Sequence, residues 1–166
     1  MDTPTVNRRS FLGASALLGA GFTVSPLLAA ALDANTKKVK VGLIGCGGRG
    51  RGAIGNFKEA CGILGIEVEV TAVGDAFKQP AENLGKNHGV PPERCFAGID
   101  NYRKVIASGC DFVLDCSPPA FRPSHLEAAV EAGKHCFIEK PVAVDPVGVR
   151  RVIAAGEKAK AKGLAI

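Results

Sequence analysis

Tryptophan is absent from these 166 residues, and tyrosine and methionine occur once each. So few broad aromatic faces exclude a stacking platform for single-stranded nucleic acid. The basic excess does not restore that reading. The formal charge of +5 comes from 21 Lys and Arg against 16 Asp and Glu. Arg8 and Arg9 sit near the start, and Lys158, Lys160 and Lys162 lie together near the end, where cations suit a solvated helix C-terminus. No basic stripe interleaved with aromatics runs between them, so nucleic acid is not an expected partner. Also missing are C-x-x-C pairs and any histidine at zinc-finger spacing, so no metal site is expected. The six cysteines (Cys46, Cys61, Cys95, Cys110, Cys116 and Cys136) read as small, partly buried hydrophobes. A bridge between Cys116 and Cys136 is conceivable if they end neighbouring strands. What the chain does have is glycine, 21 residues of it, and 46% apolar residues, which suit one compact α/β domain.

The first 36 residues read as an address. Asn7-Arg8-Arg9-Ser10-Phe11-Leu12 resembles a twin-arginine export signal: paired arginines, Phe-Leu, then a weakly apolar run to Leu32. Pro26 and Ala29-Ala30-Ala31 supply a cleavage region. About 20 apolar residues can also span a bilayer. Gly13, Ser15, Gly19, Gly21, Thr23 and Ser25 dilute this run, however, which favours a cleaved signal, an exported periplasmic product and no stable membrane insertion. The twin-arginine route carries folded proteins, which suits one that loads a nucleotide before export.

Residues 37–166 alternate between strand and helix signals. Val39–Gly45 is β-branched, apolar and ends in glycine, as a central strand does; Gly48–Ala60 follows as a helix. Val68–Val73 and Pro80–Asn87 repeat the pair, with Gly89 just past the end. Arg94–Phe96 reads as a short edge strand, and Asp100 as the cap of a helix reaching Ala107. Phe112–Cys116 is a buried strand, Pro123–Ala132 a helix and Cys136–Ile138 a fifth strand. Asp145-Pro146 opens a last helix, and Leu164–Ile166 starts a sixth strand. This order predicts a doubly wound parallel sheet of the Rossmann type, truncated at its sixth strand.

Gly45-Cys46-Gly47-Gly48-Arg49-Gly50 is a G-x-G-x-x-G motif between a strand and a helix, the context that makes it a dinucleotide fingerprint. Gly45 allows the tight turn, Gly47 lets the backbone approach a pyrophosphate, and Gly50 lets helix and strand pack closely. Gly48 lies at the helix start, whose free N–H groups suit an anion. Arg49 either adds charge there or faces solvent. Asp75, at the end of the second strand, can accept from both adenosine ribose hydroxyls and repels a 2′-phosphate, which favours NAD over NADP.

Ser117-Pro118-Pro119, His125, Ala132-Gly133-Lys134-His135 and Glu139-Lys140-Pro141 together resemble the T-P-N-x-x-H…A-G-K-H-V…E-K-P signature of the Gfo/Idh/MocA oxidoreductases, a family that includes glucose-fructose oxidoreductase and inositol dehydrogenases. The resemblance covers essentially all of residues 37–166. It implies that Glu139 binds a ribose hydroxyl near the nicotinamide and that Lys140 is catalytic, reaching the substrate's reacting hydroxyl. It also places the Ser117-Pro118 loop against the cofactor and His125 beside it, in a structural or cofactor-flanking role. His88 and His135 are read as surface residues. Ser117-Pro118-Pro119 stands where Thr-Pro-Asn is commoner, so that Asn contact is missing.

The resemblance further implies a C-terminal α/β substrate domain, which these residues lack. That domain would supply the catalytic base, most contacts to a sugar-like small molecule, and the surface for homo-oligomerisation. The expected function is NAD(P)-dependent hydride transfer with a sugar, polyol or related carbinol, with the 166 residues inactive alone. Two alternatives stand beside it: an exported NAD-dependent glycosidase of the same superfamily, and a non-catalytic nucleotide-binding module.

Overall fold

A computed structural model describes residues 38–166, so the proposed address lies outside the described residues. Five strands and five α-helices alternate. They are β1 (Lys38–Ile44), α1 (Gly48–Ile63), β2 (Glu67–Asp75), α2 (Lys78–Asn87), β3 (Cys95–Ala97), α3 (Asn101–Ile106), β4 (Phe112–Asp115), α4 (Arg122–Glu131), β5 (His135–Ile138) and α5 (Pro146–Ala161). The sheet order is β3-β2-β1-β4-β5, every pair parallel. This is the doubly wound Rossmann arrangement expected from the alternation.

Side chains alternate across each strand and so feed two cores. Val39, Val41, Leu43, Val73, Phe112 and Leu114 pack with Ile54, Cys61 and Leu84 from α1 and α2. Ile44, Ala72, Val113 and Cys136 point the other way, against Val105, Leu126, Val130, Ala155 and Ala159 from α3, α4 and α5. Two helices thus cover one face and three the other. On the less covered face a cavity of about 330 Å³ opens between α1 and β5, lined by Ala53, Phe57, Phe112, Leu114, Phe137 and Ile166.

Several boundaries move from the sequence expectation. The edge strand is Cys95–Ala97, because Pro92–Arg94 turn as a 3-10 helix instead. Asp100 does not cap α3 with its side chain; it lies 4.0 Å from Arg103. Asp145 does cap α5, its Oδ1 accepting from the Gly148 N–H at 2.6 Å. Leu164–Ile166 forms no strand, although Cys136 donates to the Ala165 carbonyl at 2.9 Å on the open edge of β5. One such bond marks where a neighbour would pair but does not make a ladder. Lys162 is more than a solvated tail residue, since its Nζ donates to the Val130 and Glu131 carbonyls at the end of α4.

All six cysteines are free thiols. Cys136 pairs in register with Val113 while Cys116 lies beyond the end of β4, so no Cys116–Cys136 bridge forms. Burial pushes the Cys46 and Cys136 thiols up to about 12 and Cys116 to about 11. These thiols are packing groups rather than nucleophiles. His88 and His135 are half-buried, not surface residues. His88 sits 3.1 Å from Lys58 Nζ, and His135 stacks on Phe112 while its Nδ1 accepts from the Ala165 N–H.

Two glycines in α1 separate packing from propensity. A Cβ on Gly50 would run into the Gly45 carbonyl, whereas one on Gly55 would meet nothing within 4 Å. Gly50→Ala is therefore expected to destabilise the fold by about 1–3 kcal/mol through overpacking. Gly55→Ala should stabilise it by about 0.8–1 kcal/mol. Urea unfolding of both variants checks the opposite signs.

Candidate functional site

Because the strands are parallel, their carboxyl ends share one edge. In register, Ile44 pairs with both Gly74 and Asp115, and Asp115 pairs with Ile138. The loops beginning at Gly45, Asp75, Cys116 and Glu139 therefore emerge side by side. The strand order reverses between β1 and β4, and at that switch point open α/β sheets form their ligand crevice.

Gly45 adopts φ +88°, a left-handed value that disfavours other residues. A Cβ there would also lie 2.7 Å from the Cys116 carbonyl carbon and 2.8 Å from the Ser117 nitrogen. The glycine thus lets the first loop press against the β4 loop. Gly47 and Gly48 are exposed, and a Cβ on either would meet nothing within 4 Å. Gly47 caps the 16-residue α1 without any side-chain hydrogen bond. The first N–H groups of α1 consequently have neither an intrahelical partner nor a capping oxygen, and face open space. This arrangement fits a dinucleotide pyrophosphate, which an N-terminal helix dipole also favours.

Asp75 is half-buried and ties two loops together. Its Oδ2 accepts from the Cys46 N–H at 2.8 Å and its Oδ1 from the Phe77 N–H at 3.0 Å. The Gly45 N–H also donates to the Gly74 carbonyl at 2.7 Å. The carboxylate therefore shapes the glycine loop as well as keeping lone pairs free for hydroxyls.

Arg49 and Glu139 meet directly. Arg49 Nε donates to Glu139 Oε1 at 2.6 Å, Nη2 pairs with the same oxygen, and the guanidinium lies 5.7 Å from the Phe137 ring centre. Arg49 thus does not simply face solvent. The bond to Arg49 holds the Glu139 carboxyl below the ordinary carboxylate range. The pair is therefore intact above that range and is lost as acid protonates Glu139. Lys140 is exposed, with its N–H 3.2 Å from Glu139 Oε2, and the Lys140–Pro141 peptide is cis.

Behind these groups lies a buried polar network that sequence reasoning largely missed. Ser117 N–H donates to Asp115 Oδ1 at 2.9 Å. His125 Nδ1 lies 3.1 Å from Asp115 Oδ2 and 3.2 Å from Ser117 Oγ, and its ring stacks on Tyr102 at 4.3 Å. His125, 4% exposed, therefore supports the Ser117 loop from inside, while Pro118 is exposed above it. Arg122, 6% exposed, was not singled out at all. Yet the signature's own spacing, five residues beyond its first position, lands on Arg122; His125 lies one helical turn later. Asp115 was hidden inside an apolar strand. Only tertiary pairing with His125 gives it a role.

No group of three or more His, Cys, Asp or Glu side chains among the described residues could hold a metal ion. No helix of the described residues is long and apolar enough to cross a membrane.

Comparison with known proteins agrees with this geometry. Residues 39–165 match the Gfo/Idh/MocA oxidoreductase family over its NAD-binding Rossmann fold. The chain is 31% identical over 121 residues to an inositol 2-dehydrogenase of Paracoccus denitrificans, covering 73% of this chain and 34% of that protein. It is 29% identical over 168 residues to a glycosyl hydrolase family 109 protein of Streptomyces coelicolor, covering 87% of this chain and 34% of that one. A solved structure titled as a putative myo-inositol dehydrogenase from Sinorhizobium meliloti aligns with a TM-score of 0.59 at 26% identity, covering 76% of this chain and 34% of that one. The chain thus spans about a third of the length of the relatives it matches. The chain belongs to the Gfo/Idh/MocA oxidoreductase family, and its described residues form that family's NAD-binding Rossmann domain.

Proposed function

We propose that this chain is the cofactor-binding part of an NAD-dependent oxidoreductase that transfers hydride between NAD and a polyol or sugar. The observation that carries the reading is the convergence of Gly45–Gly50, Asp75, Glu139 and Lys140 at one edge of the sheet. The uncapped start of α1 receives the pyrophosphate over Gly47 and Gly48, with Arg49 as a neighbouring cation. Asp75 takes the adenosine ribose hydroxyls, and its negative charge disfavours a 2′-phosphate, so NAD is preferred to NADP. When bound, the nicotinamide supplies the hydride acceptor. Glu139 takes a ribose hydroxyl near it. The exposed Lys140 ammonium meets the substrate hydroxyl and stabilises the negative charge that develops as its proton leaves. The Ser117-Pro118 loop flanks the cofactor, with His125 bracing it from beneath.

The relatives are roughly two to three times as long as this chain, so most substrate contacts and a partner base for Lys140 would come from residues beyond these 166. Assembly into a homo-oligomer through such a second domain belongs to the same proposal. The 87% coverage by a glycosyl hydrolase family 109 protein favours a second reading. In it, NAD held by the same residues would supply a transient oxidation that is reversed within each turnover, and the net reaction would be glycoside hydrolysis. In full-length protein, NADH formation from myo-inositol supports the dehydrogenase reading, and nitrophenol release from nitrophenyl glycosides without added NAD supports the hydrolase.

In either reaction Lys140→Ala should lower kcat by about 10²–10³-fold, the usual weight of one donor aimed at developing negative charge, with NAD affinity unchanged. An unaltered kcat removes Lys140 from the chemistry.

Asp75→Ala should weaken NAD binding, measured by calorimetry, by about 1.5–3 kcal/mol, the range for hydrogen bonds to a charged group. Asp75→Asn keeps an acceptor for the loop but loses the charge, and should narrow the preference for NAD over NADP. An unchanged preference overturns the charge argument.

Residues 1–36 are proposed as a cleaved twin-arginine signal. Replacing Arg8 and Arg9 together by lysine should leave the protein in the cytoplasmic fraction, as read by immunoblotting of cell fractions. Unaltered partition argues against this route.

A further inference from the structure

Arg122 is a charged side chain inside the fold, only 6% exposed, and none of the ion pairs among the described residues includes it. A buried cation without a carboxylate is costly unless its donors are otherwise satisfied. Here backbone carbonyls accept from three of its five N–H donors. Nε donates to the Ser117 carbonyl at 2.8 Å, and Nη1 donates to the carbonyls of Glu139 at 2.7 Å and Pro141 at 2.5 Å. The first carbonyl belongs to the loop after β4, and the other two belong to the turn after β5. Among the described residues, no other side chain hydrogen-bonds both segments.

The two turn carbonyls flank Lys140. The Glu139 carbonyl lies in the peptide that supplies the Lys140 N–H, and the Pro141 carbonyl follows the next residue. That N–H is also engaged by Glu139 Oε2. The backbone of Lys140 is therefore anchored on both sides, while its side chain stays exposed. Beneath the opposite end of the clamp, Ser117 is held by Asp115 and His125. A histidine at this position has two ring nitrogens and a short stem, so it could not donate along the same three directions. The guanidinium fork can, because its donors are fixed in one plane.

We propose that Arg122 is a positioning residue: it fixes the Lys140 turn against the nucleotide-flanking Ser117 loop, and so sets where the ammonium stands relative to the cofactor. This rests on the reading of Lys140 given above. A reacting group displaced by about 1 Å loses on the order of 100-fold in rate even when binding is intact. The cost of losing the clamp should therefore fall on kcat rather than on affinity.

Two measurements on the full-length protein test it, using Arg122→Lys, which keeps the charge, and Arg122→Gln, which keeps a single donor nitrogen without the charge. Amide hydrogen exchange should be about tenfold faster in the peptide covering residues 139–142 and unchanged in β1 and β2. Turnover of myo-inositol with NAD, or of a nitrophenyl glycoside if that is the active probe, should show kcat down on the order of 100-fold, with KM for the probe and the NAD dissociation constant held within about threefold. In a Lys140→Ala background, Arg122→Lys should cost less than about twofold more, because the arginine acts through the lysine.

Multiplicative losses in the double variant, or unchanged exchange at 139–142, overturn the proposal. So does faster exchange spread over the whole sheet, or failure of both variants to fold, since each makes Arg122 a general scaffold residue. If Lys140→Ala alone leaves kcat intact, the catalytic reading of Lys140 fails, and with it the catalytic consequence of the clamp. The exchange result still reports separately on whether Arg122 holds the turn.

Discussion

The closeness with which α1 crosses the end of β1 governs the rest of the cofactor edge. Gly50 lies against the Gly45 carbonyl with no room for a Cβ, and Gly45 in turn lies against the Cys116-Ser117 backbone. Any side chain at either position would lift the helix start away from the β4 loop. The open space over Gly47 and Gly48 exists because that stack of backbones is collapsed. The openness of the helix start is thus a packing result, and the proposed phosphate site depends on it before it depends on charge.

The same edge is organised by carboxylates used as backbone ties. Asp75 accepts N–H groups from the first loop and from its own turn, and Asp115 does the same for Ser117 while holding His125. Each sits at the carboxyl end of a strand, where the chain leaves the ladder for a loop. Arg122 completes the scheme with the opposite sign, donating to carbonyls where the two aspartates accept N–H groups. Short loops that would otherwise fray are ordered by charge-assisted hydrogen bonds from side chains rooted in strand ends and a helix start. Arg49 differs from these in being exposed, and its ion pair with Glu139 joins the start of α1 to the end of β5.

The two sides of the sheet are unequal. Three helices seal one face, while on the other the ground between α1 and β5 stays open and apolar around Phe112, Leu114 and Phe137. The open edge of β5 lies nearby, where Cys136 already donates to Ala165. Both features place unspent apolar surface and backbone hydrogen-bonding capacity on the β5 side, at the opposite edge of the sheet from β3.

Much of this was legible in the residues. Alternating apolar runs and glycine stops located all five strands, since burial on both faces demands continuous apolar stretches and a parallel sheet demands helical crossovers. The steric roles of Gly45 and Gly50, and the position of Asp75 at the end of β2, could be read because they follow from local geometry and from spacing along one βαβ unit. Boundaries set by competing turns were not legible, as with the 3-10 turn that displaced β3, nor was the failure of Asp100 to cap. The Arg49–Glu139 pair joins residues 90 positions apart, and Arg122 reaches 17 and 19 positions ahead. Asp115 in an apolar strand and Arg122 at a helix start carry no local signal, because each is defined by what the register of β4 and β5 brings within hydrogen-bond reach. The sequence by itself determined the class of fold and the dinucleotide loop, through periodicity and glycine sterics. Only the tertiary structure decided which charges meet, because strand register and the packing of α1 and α4 on the sheet together set those distances.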